Sequence, residues 1–468
     1  MCRAVVDPNR SASDERAGAA WWQSNPALER WVRDLIHAEM VTLRPATWRW
    51  PQRPAGQDVH LLDDAGVDSL DLLSLQGAVA EALDLRSHEE LMVLHEQPSL
   101  KGWTQAARLR LQREDSTVAF ASSGTTGKPQ RHAHRLSALE QEMDAMADVL
   151  EAHPSGTAFA QGGRILSAVR SQHIYGFLFT VLLPHRLSHR LSHRPGHRLS
   201  HQPDHPAGHP TPEVIDLVGQ PAAVAAALAR PGDLVVGFPS WWQQALRPAG
   251  LWPPDVIGVT STAPCPPETS ALAAERGLAR WLEIYGSTET AGVAWREEAQ
   301  GPFRLHPFWR RAQGASACAC TGEDPSADEL ERCSPEGVWG PARPAPDHLQ
   351  WTDATRFRPA GRRDGVVQVG GVNVDPKAVQ THIAAHPAVA EVAVRPCSQG
   401  GDLRLKAFVV PRSAIDLIPI LHEWCRAHLP PAARPVDIRL GATLPRNEMG
   451  KLRDWDVSGP FAAAPEFD

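Results

Sequence analysis

From Leu28 the apolar residues Trp31, Val32, Leu35, Ile36 and Met40 recur at spacings of three and four, which predicts one amphipathic helix stopped near Pro45. A loop follows. The stretch L-L-D-D-A-G-V-D-S-L-D-L-L-S-L at 61–75 then runs into a second helix ending near Leu85, with a further helix over 99–111. Beyond residue 116 the period changes: short β-rich apolar runs at 118–120, 165–169, 234–238, 256–259 and 282–285 alternate with helical stretches such as 138–150 and 222–229. Such alternation predicts an α/β domain with mostly parallel sheets. After Gly361, runs at 366–369, 372–374, 389–394 and 405–410 with helices near 376–385 and 415–428 predict a small α+β domain. The expected organisation is a tail (1–24), a small helical bundle (25–113), a large α/β domain (114–360) and a small α+β domain (361–468).

One segment interrupts this pattern. His185, His189, His193, His197, His201, His205 and His209 repeat every fourth residue, but Pro195, Pro203 and Pro206 break any helix that would stack them. The segment 185–212 therefore reads as a low-complexity insertion in a surface loop.

Composition narrows the function classes. A net charge of −7 argues against nucleic acid as the main partner. The longest apolar run, 174–183, is too short for a membrane span, and residues 1–20 lack the pattern of a signal peptide, so a cytoplasmic protein is expected. Of 47 basic residues only Lys101, Lys128, Lys377, Lys406 and Lys451 are lysine. Lysine is a compact point charge on a flexible stem, so Lys128 and Lys451 become candidates for work that an arginine fork does poorly.

The chemistry is concentrated in four stretches. After Val118-Ala119-Phe120 comes Ser122, Ser123, Gly124, Thr125, Thr126, Gly127, Lys128 and Pro129, where two glycines admit an anion to the backbone and the hydroxyls and lysine supply donors and charge. It is not a Walker A loop, because only two residues separate the glycines and Pro129 follows the lysine. The others are L-E-I-Y-G-S-T-E-T-A-G at 282–292, W-T-D-A-T-R-F at 351–357 with G-R-R-D-G at 361–365, and L-P-R-N-E-M-G-K-L at 444–452.

In this order the four resemble the motifs of the AMP-forming acyl-adenylate superfamily, which includes acyl-CoA synthetases, adenylation domains and luciferases. The resemblance implies that the loop Ser122–Lys128 binds ATP phosphates, Tyr285 stacks on adenine, Thr288 contacts the α-phosphate and Glu289 holds Mg2+. It assigns Asp353 to the ribose with Arg362 assisting, Asp364 to the hinge, and Lys451 to the substrate carboxylate and α-phosphate. S-Q-H-I-Y-G-F-L at 171–178 resembles the acid-pocket and thiol-tunnel segment, with His173 and Tyr175 as candidates and core packing as the alternative. S-T-A-P-C-P-P-E implies that Ala263 walls the acid site, and V-G-G-V-N-V implies that Gly370 and Gly371 face the pantetheine. Two departures stand out: Thr352 and Asp353 adjoin without the usual glycine, and only about ten residues separate the last N-terminal helix from the ATP loop.

The front of the chain resembles an acyl carrier protein, with Asp-Ser-Leu opening a helix and Ser69 as the phosphopantetheine site; Asp68 or Ser69 as a plain N-cap is the alternative. The implied function is ATP-dependent activation of a small carboxylic acid, aryl or otherwise compact, to an acyl-adenylate. Transfer to a phosphopantetheine thiol follows, on Ser69, on a free carrier protein or on CoA. A phosphopantetheinyl transferase and a downstream synthase of a secondary-metabolite pathway would be partners. The alternatives are an acid:CoA ligase with an N-terminal docking bundle and a weakly catalytic nucleotide-binding scaffold.

Overall fold

The computed structural model describes residues 21–44, 48–51, 54, 57–113, 116–122, 130–160, 162–192, 211–312, 328–363, 365–399, 402–413, 417–445 and 452–456. They form two units: one of the chain through Ala121, Arg131–Arg343 and Trp351–Arg358, the other of Ser122–Gln130, Pro344–Gln350 and the chain from Pro359 onward.

The first unit opens its β structure with a hairpin, β1 (Thr117–Ala121) antiparallel to β2 (Arg131–Arg135). Its sheet contains β3 (Ile165–Ser167), β4 (Val214–Asp216), β5 (Leu234–Gly237), β6 (Ile257–Thr260), β7 (Arg280–Ser287), β8 (Ala291–Arg296) and β9 (Phe303–Leu305). Strands run in the order β4-β3-β5-β6-β7 in parallel, and β8, β9 and the start of the strand Arg356–Arg362 add on antiparallel. The expected mostly parallel α/β sheet is present. β3, β5 and β6 are buried at every residue, as strands covered on both faces must be, and this is why they read as short apolar runs.

The expected helices form close to their expected bounds, at Asn25–Leu43, Ser69–Leu83, Leu100–Leu111 and Leu136–Glu151, while the 222–229 stretch splits into a 3₁₀ turn, Ala222–Val224, and a single α turn, Ala225–Leu228. Among the described residues the N-terminal helices have no separate core. Phe177 lies 5.3 Å from Trp21, 5.0 Å from Trp31 and 5.2 Å from Phe120, so one aromatic cluster joins the first helix, β1 and the segment after β3. Polar ties repeat the connection: Ser171 donates both its N–H (2.9 Å) and its hydroxyl (2.6 Å) to Asp34, whose side chain is buried. Thr117 donates to Asp84 at 2.9 Å. Residues 25–111 are thus a layer of the large unit rather than a bundle with its own core.

The histidine repeat also begins differently from expectation. Its first two histidines lie in a helix, Leu183–Ser192, because Leu187 is fully buried and the cations between the histidines meet a facing acidic row. Arg186 pairs with Asp144 at 2.5 Å and Arg190 with Asp148. Spacing of four serves the arginines as well as the histidines. His193, His197, His201, His205 and His209 lie outside the described residues.

In the second unit the strand Val389–Gln399 pairs antiparallel with Asp402–Pro411, which pairs in parallel with Asp437–Leu440. The helices Pro376–Ala384 and Leu417–His428 supply Val379, Ile383, Leu417 and Leu421 to its core. This is the expected small α+β domain.

Trp31→Ala removes the ring that seats Phe177 and should cost about 3–5 kcal/mol, read as a lower denaturant midpoint for the whole large unit. A chain starting at residue 114 should be recovered only as aggregate, since Phe120 and Phe177 lose their cover. A soluble, cooperatively melting truncation would mean that the helices are a separate domain.

Candidate functional site

Strand β7 leaves the sheet core at Tyr285 and turns back into β8 within a few residues. The turn is built by reciprocal bonds: the N–H of Ser287 donates to Thr290 Oγ1 (3.1 Å) and the N–H of Thr290 donates to Ser287 Oγ (3.3 Å). Gly286 is obligatory in it, because a Cβ there would lie 2.1 Å from the carbonyl oxygen of Ala291. A Cβ at Gly292 would meet Glu142 at 2.2 Å. Both glycines of Y-G-S-T-E-T-A-G therefore have steric reasons to be there. Thr288 is half-buried and Glu289 is exposed at the tip, where its carboxylate lies 3.7 Å from His132 Nε2.

His132 and His134 alternate along β2, so both point to one side of the strand that leaves the expected phosphate loop. His134 Nε2 donates to the Thr288 carbonyl at 2.7 Å, and burial pushes its pKa down to about 4, so it is a neutral donor near pH 7. The hairpin strand and the turn are thereby tied. Of the loop itself Ser122 is described: its N–H donates to the Gln130 carbonyl at 2.8 Å, closing the loop's base. Ser123, Gly124, Thr125, Thr126, Gly127 and Lys128 lie outside the described residues.

Tyr285 is half-buried, with its ring edge-on to Phe357 at 5.1 Å. Phe357 is fully buried, and the turn just before it carries Asp353. Asp353 Oδ1 accepts from the N–H (2.8 Å) and hydroxyl (2.9 Å) of Thr355, and the Thr355 N–H in particular holds its carboxyl below the ordinary aspartate range. The aspartate is exposed and ionised, which suits an acceptor for paired hydroxyls. The structure thus brings together Tyr285, Thr288, Glu289 and the Asp353 turn.

The other candidates are placed as follows. His173 stands at the N-cap position of the helix Ile174–Phe177 without a capping bond and with its side chain exposed, whereas Tyr175 is buried and donates its hydroxyl to the Gly237 carbonyl at 3.1 Å. Tyr175 packs as a core residue at the end of β5. Ala263 is half-buried in the loop after β6, beside Thr262 with φ +79°. Gly370 and Gly371, at φ +58° and +83°, make the two-residue hairpin turn between Val367–Val369 and Val372–Val374, a turn that needs positive φ at both central positions. Arg362 ends the strand Arg356–Arg362. Asp364 and Lys451 lie outside the described residues, but the flanks of the Lys451 loop are pinned. The Arg453 N–H donates to the Pro445 carbonyl at 2.8 Å, Arg395 donates to the Leu452 carbonyl at 2.9 Å, and buried Lys406 donates to the Trp455 carbonyl.

Known proteins similar to this chain identify its family. The 4-coumarate–CoA ligase of Halorhodospira halophila is 32% identical over 436 residues, 91% of this chain and 97% of that protein. The chain belongs to the AMP-binding enzyme superfamily. A 4-coumarate–CoA ligase of Rhodobacter capsulatus is 34% identical over 84% of this chain and 90% of its own, and the family profile of the AMP-binding enzyme C-terminal domain matches residues 378–451. The amide bond synthetase McbA of Marinactinospora thermotolerans has the same fold, with a TM-score of 0.55 at 17% identity over 91% of this chain and 92% of that one. As a member of this superfamily the protein is an AMP-forming acid–thiol ligase, and the matched share of the chain is too large to omit the helices of residues 25–111.

Three residues around this turn carry no family motif noted in the sequence: His134, Glu142 and Arg332. Only His134 had a local signal, the alternation R-H-A-H-R beside the loop. Glu142 is 1% exposed, accepts the Gly292 N–H at 3.0 Å, and is pushed by burial up to about 7 against the opposing charge of Arg332. A folded-state pKa above the ordinary 4.5 means that its stabilising contribution is complete below about pH 4.5 and is lost as pH rises through about 7. Glu142→Gln, neutral throughout, should therefore gain stability relative to the parent between about pH 5 and pH 8. Urea midpoints at the two pH values measure this; an offset that does not change with pH would refute the assignment.

Proposed function

We propose that the protein is an ATP-dependent acid:CoA ligase that activates an aryl acid of the 4-coumarate type through an acyl-adenylate. The observation that carries the site is the tie between strand β2 and the Thr288–Glu289 turn, with the Asp353 turn joined to Tyr285 through Phe357. The thiol acceptor and acid class rest on the near full-length relatives named 4-coumarate–CoA ligase.

In this reading the loop from Ser122 to Lys128 takes the phosphates of ATP, Tyr285 lies against the adenine and Asp353 accepts from the ribose hydroxyls, with Arg362 assisting. Glu289, exposed and flanked by Thr288, fits a hard cation shared with phosphate oxygens, and Mg2+ bound there would offset phosphate charge. Lys451 would neutralise the charge that builds on the non-bridging oxygens when one anion attacks another. His173, Ala263, Gly370 and Gly371 are the candidates on the acid and thiol side. Asp364 is the candidate hinge.

Transfer to a carrier arm on Ser69 is the second reading. It is favoured by the position of Ser69, exposed as the first residue of the helix Ser69–Leu83, while Asp68 takes the N-cap and accepts the N–H groups of Leu70 and Asp71.

With ATP, Mg2+ and 4-coumarate the protein should exchange pyrophosphate into ATP, and added CoA should give a thioester and AMP. Lys451→Ala should lower adenylation by about a hundredfold or more, and Asp353→Asn should raise the KM for ATP several-fold or about tenfold. Silence across a panel of aryl and short-chain acids would sink the proposal. Ser69→Ala should leave CoA ligation unchanged, whereas a mass gain at Ser69 with a phosphopantetheinyl transferase would favour the carrier reading.

A further inference from the structure

Three buried or partly buried polar side chains from three different elements grip the backbone of the turn that carries Thr288 and Glu289. His134, on β2, donates to the Thr288 carbonyl (2.7 Å). Arg332, at the end of the strand Glu329–Arg332, donates to the carbonyls of Thr290 (3.3 Å) and Ala138 (2.5 Å). Glu142, on the helix Leu136–Glu151, accepts from Gly292 (3.0 Å). One guanidinium therefore binds both the turn and the first residues of the helix that delivers Glu142.

The same cluster is not saturated. Among the described residues Arg332 Nε and Glu142 Oε2 are buried without a hydrogen bond, as are both ring nitrogens of His306, an imidazole whose charged form is disfavoured by burial first and by the nearby Arg332 second. Burying a charged donor and a carboxylate with open valences costs stability, and a hydrophobic pair of similar size would avoid that cost. Folding alone does not call for these groups.

We propose that Arg332 is a positioning residue for adenylation, which holds the Thr288–Glu289 turn in register, and that Glu142 governs how firmly Arg332 does so. This rests on the acid-ligase reading. The mechanism is electrostatic. An ionised Glu142 attracts the guanidinium and fixes it between Thr290 and Ala138; a protonated Glu142 leaves it held by neutral carbonyls alone. The groups acting on Glu142 are few: Arg332 from its strand and the Gly292 N–H from β8, while His134 on β2 is neutral and committed to Thr288. On the neighbouring helix Leu183–Ser192, Arg186 and Arg190 are committed to Asp144 and Asp148, and Arg343 acts on Arg332 rather than on Glu142. Since burial pushes Glu142 up to about 7, turnover should rise as pH passes through that value.

The test uses the full chain and the variants Arg332→Lys, Arg332→Met and Glu142→Gln. It has two readouts: kcat and KM of pyrophosphate exchange against pH, and calorimetric affinity for ATP with Mg2+. Arg332→Met should lower kcat about tenfold, with a much smaller change in the KM for the acid, and Arg332→Lys should restore part of it because the charge returns without the two-pronged fork. Glu142→Gln should flatten the rise in kcat between about pH 6 and pH 8 at its low plateau. Both Arg332→Met and Glu142→Gln should weaken MgATP binding several-fold. Parent-like kcat in Arg332→Met, or a parent-like pH profile in Glu142→Gln, overturns the proposal. If the parent exchanges with no acid, the ligase reading fails while the affinities still decide positioning, and parent-like MgATP affinity in both variants overturns it. Should Arg332→Met not fold, the near-isosteric Glu142→Gln carries the test alone.

Discussion

A carbonyl oxygen 2.1 Å from where a Cβ would stand is the constraint on which the site depends. At Gly286 the β7 strand passes so close to Ala291 that any side chain would push the turn open, and Ala291 itself takes the left-handed φ of +59° to complete the return. That tight return places Thr288 and Glu289 at the end of a strand whose first five residues are buried. A chemical group at the tip of a rigid strand is placed better than one on a free loop, and the crossbonds between Ser287 and Thr290 stiffen the tip further.

Rigidity of the turn extends to its neighbours because they are held to the same frame. β2 is tied to Thr288 through His134, and the Asp353 turn is tied to Tyr285 through Phe357, whose ring also lies 5.4 Å from Trp351. The antiparallel strands β8 and β9 close the arrangement, since β9 pairs with Arg356 and Phe357. The edge that departs from the parallel pattern is the part that joins Tyr285 to the Asp353 turn.

Local signals made much of this legible. Alternating strand and helix runs gave the α/β class, since β3, β5 and β6 had to be apolar on both faces, and the glycines at 286 and 292 fell inside a recognisable string. Glu142 and Arg332 were not legible, because each reads as an ordinary charged residue until the fold brings it to Gly292 and Thr290, about 150 and 40 positions away in sequence. Tyr175 had two readings of similar weight in sequence, and burial with a bond to Gly237 places it in the core. In the His-Arg-Leu-Ser repeat the histidines drew the eye, whereas its first turns form a helix through buried Leu187 and the arginines that meet Asp144 and Asp148.

The N-terminal helices show why an amphipathic pattern identifies an element without identifying its neighbour. Leu28, Trp31, Val32, Leu35 and Ile36 announce a buried stripe, and a stripe is the same whether it faces sister helices or a large sheet domain. Partnership is decided by residues elsewhere: Phe177 at the centre of the tryptophans and Phe120, and Ser171 spending both its donors on Asp34. The Asp-Ser-Leu helix start has a local explanation as well, because Asp68 and Asp71 complete a reciprocal capping box that any stable helix could use. The short connection between the last N-terminal helix and β1 follows from this, because the helices pack directly on the large unit. They cover one side of the aromatic cluster from which β1 runs toward Ser122.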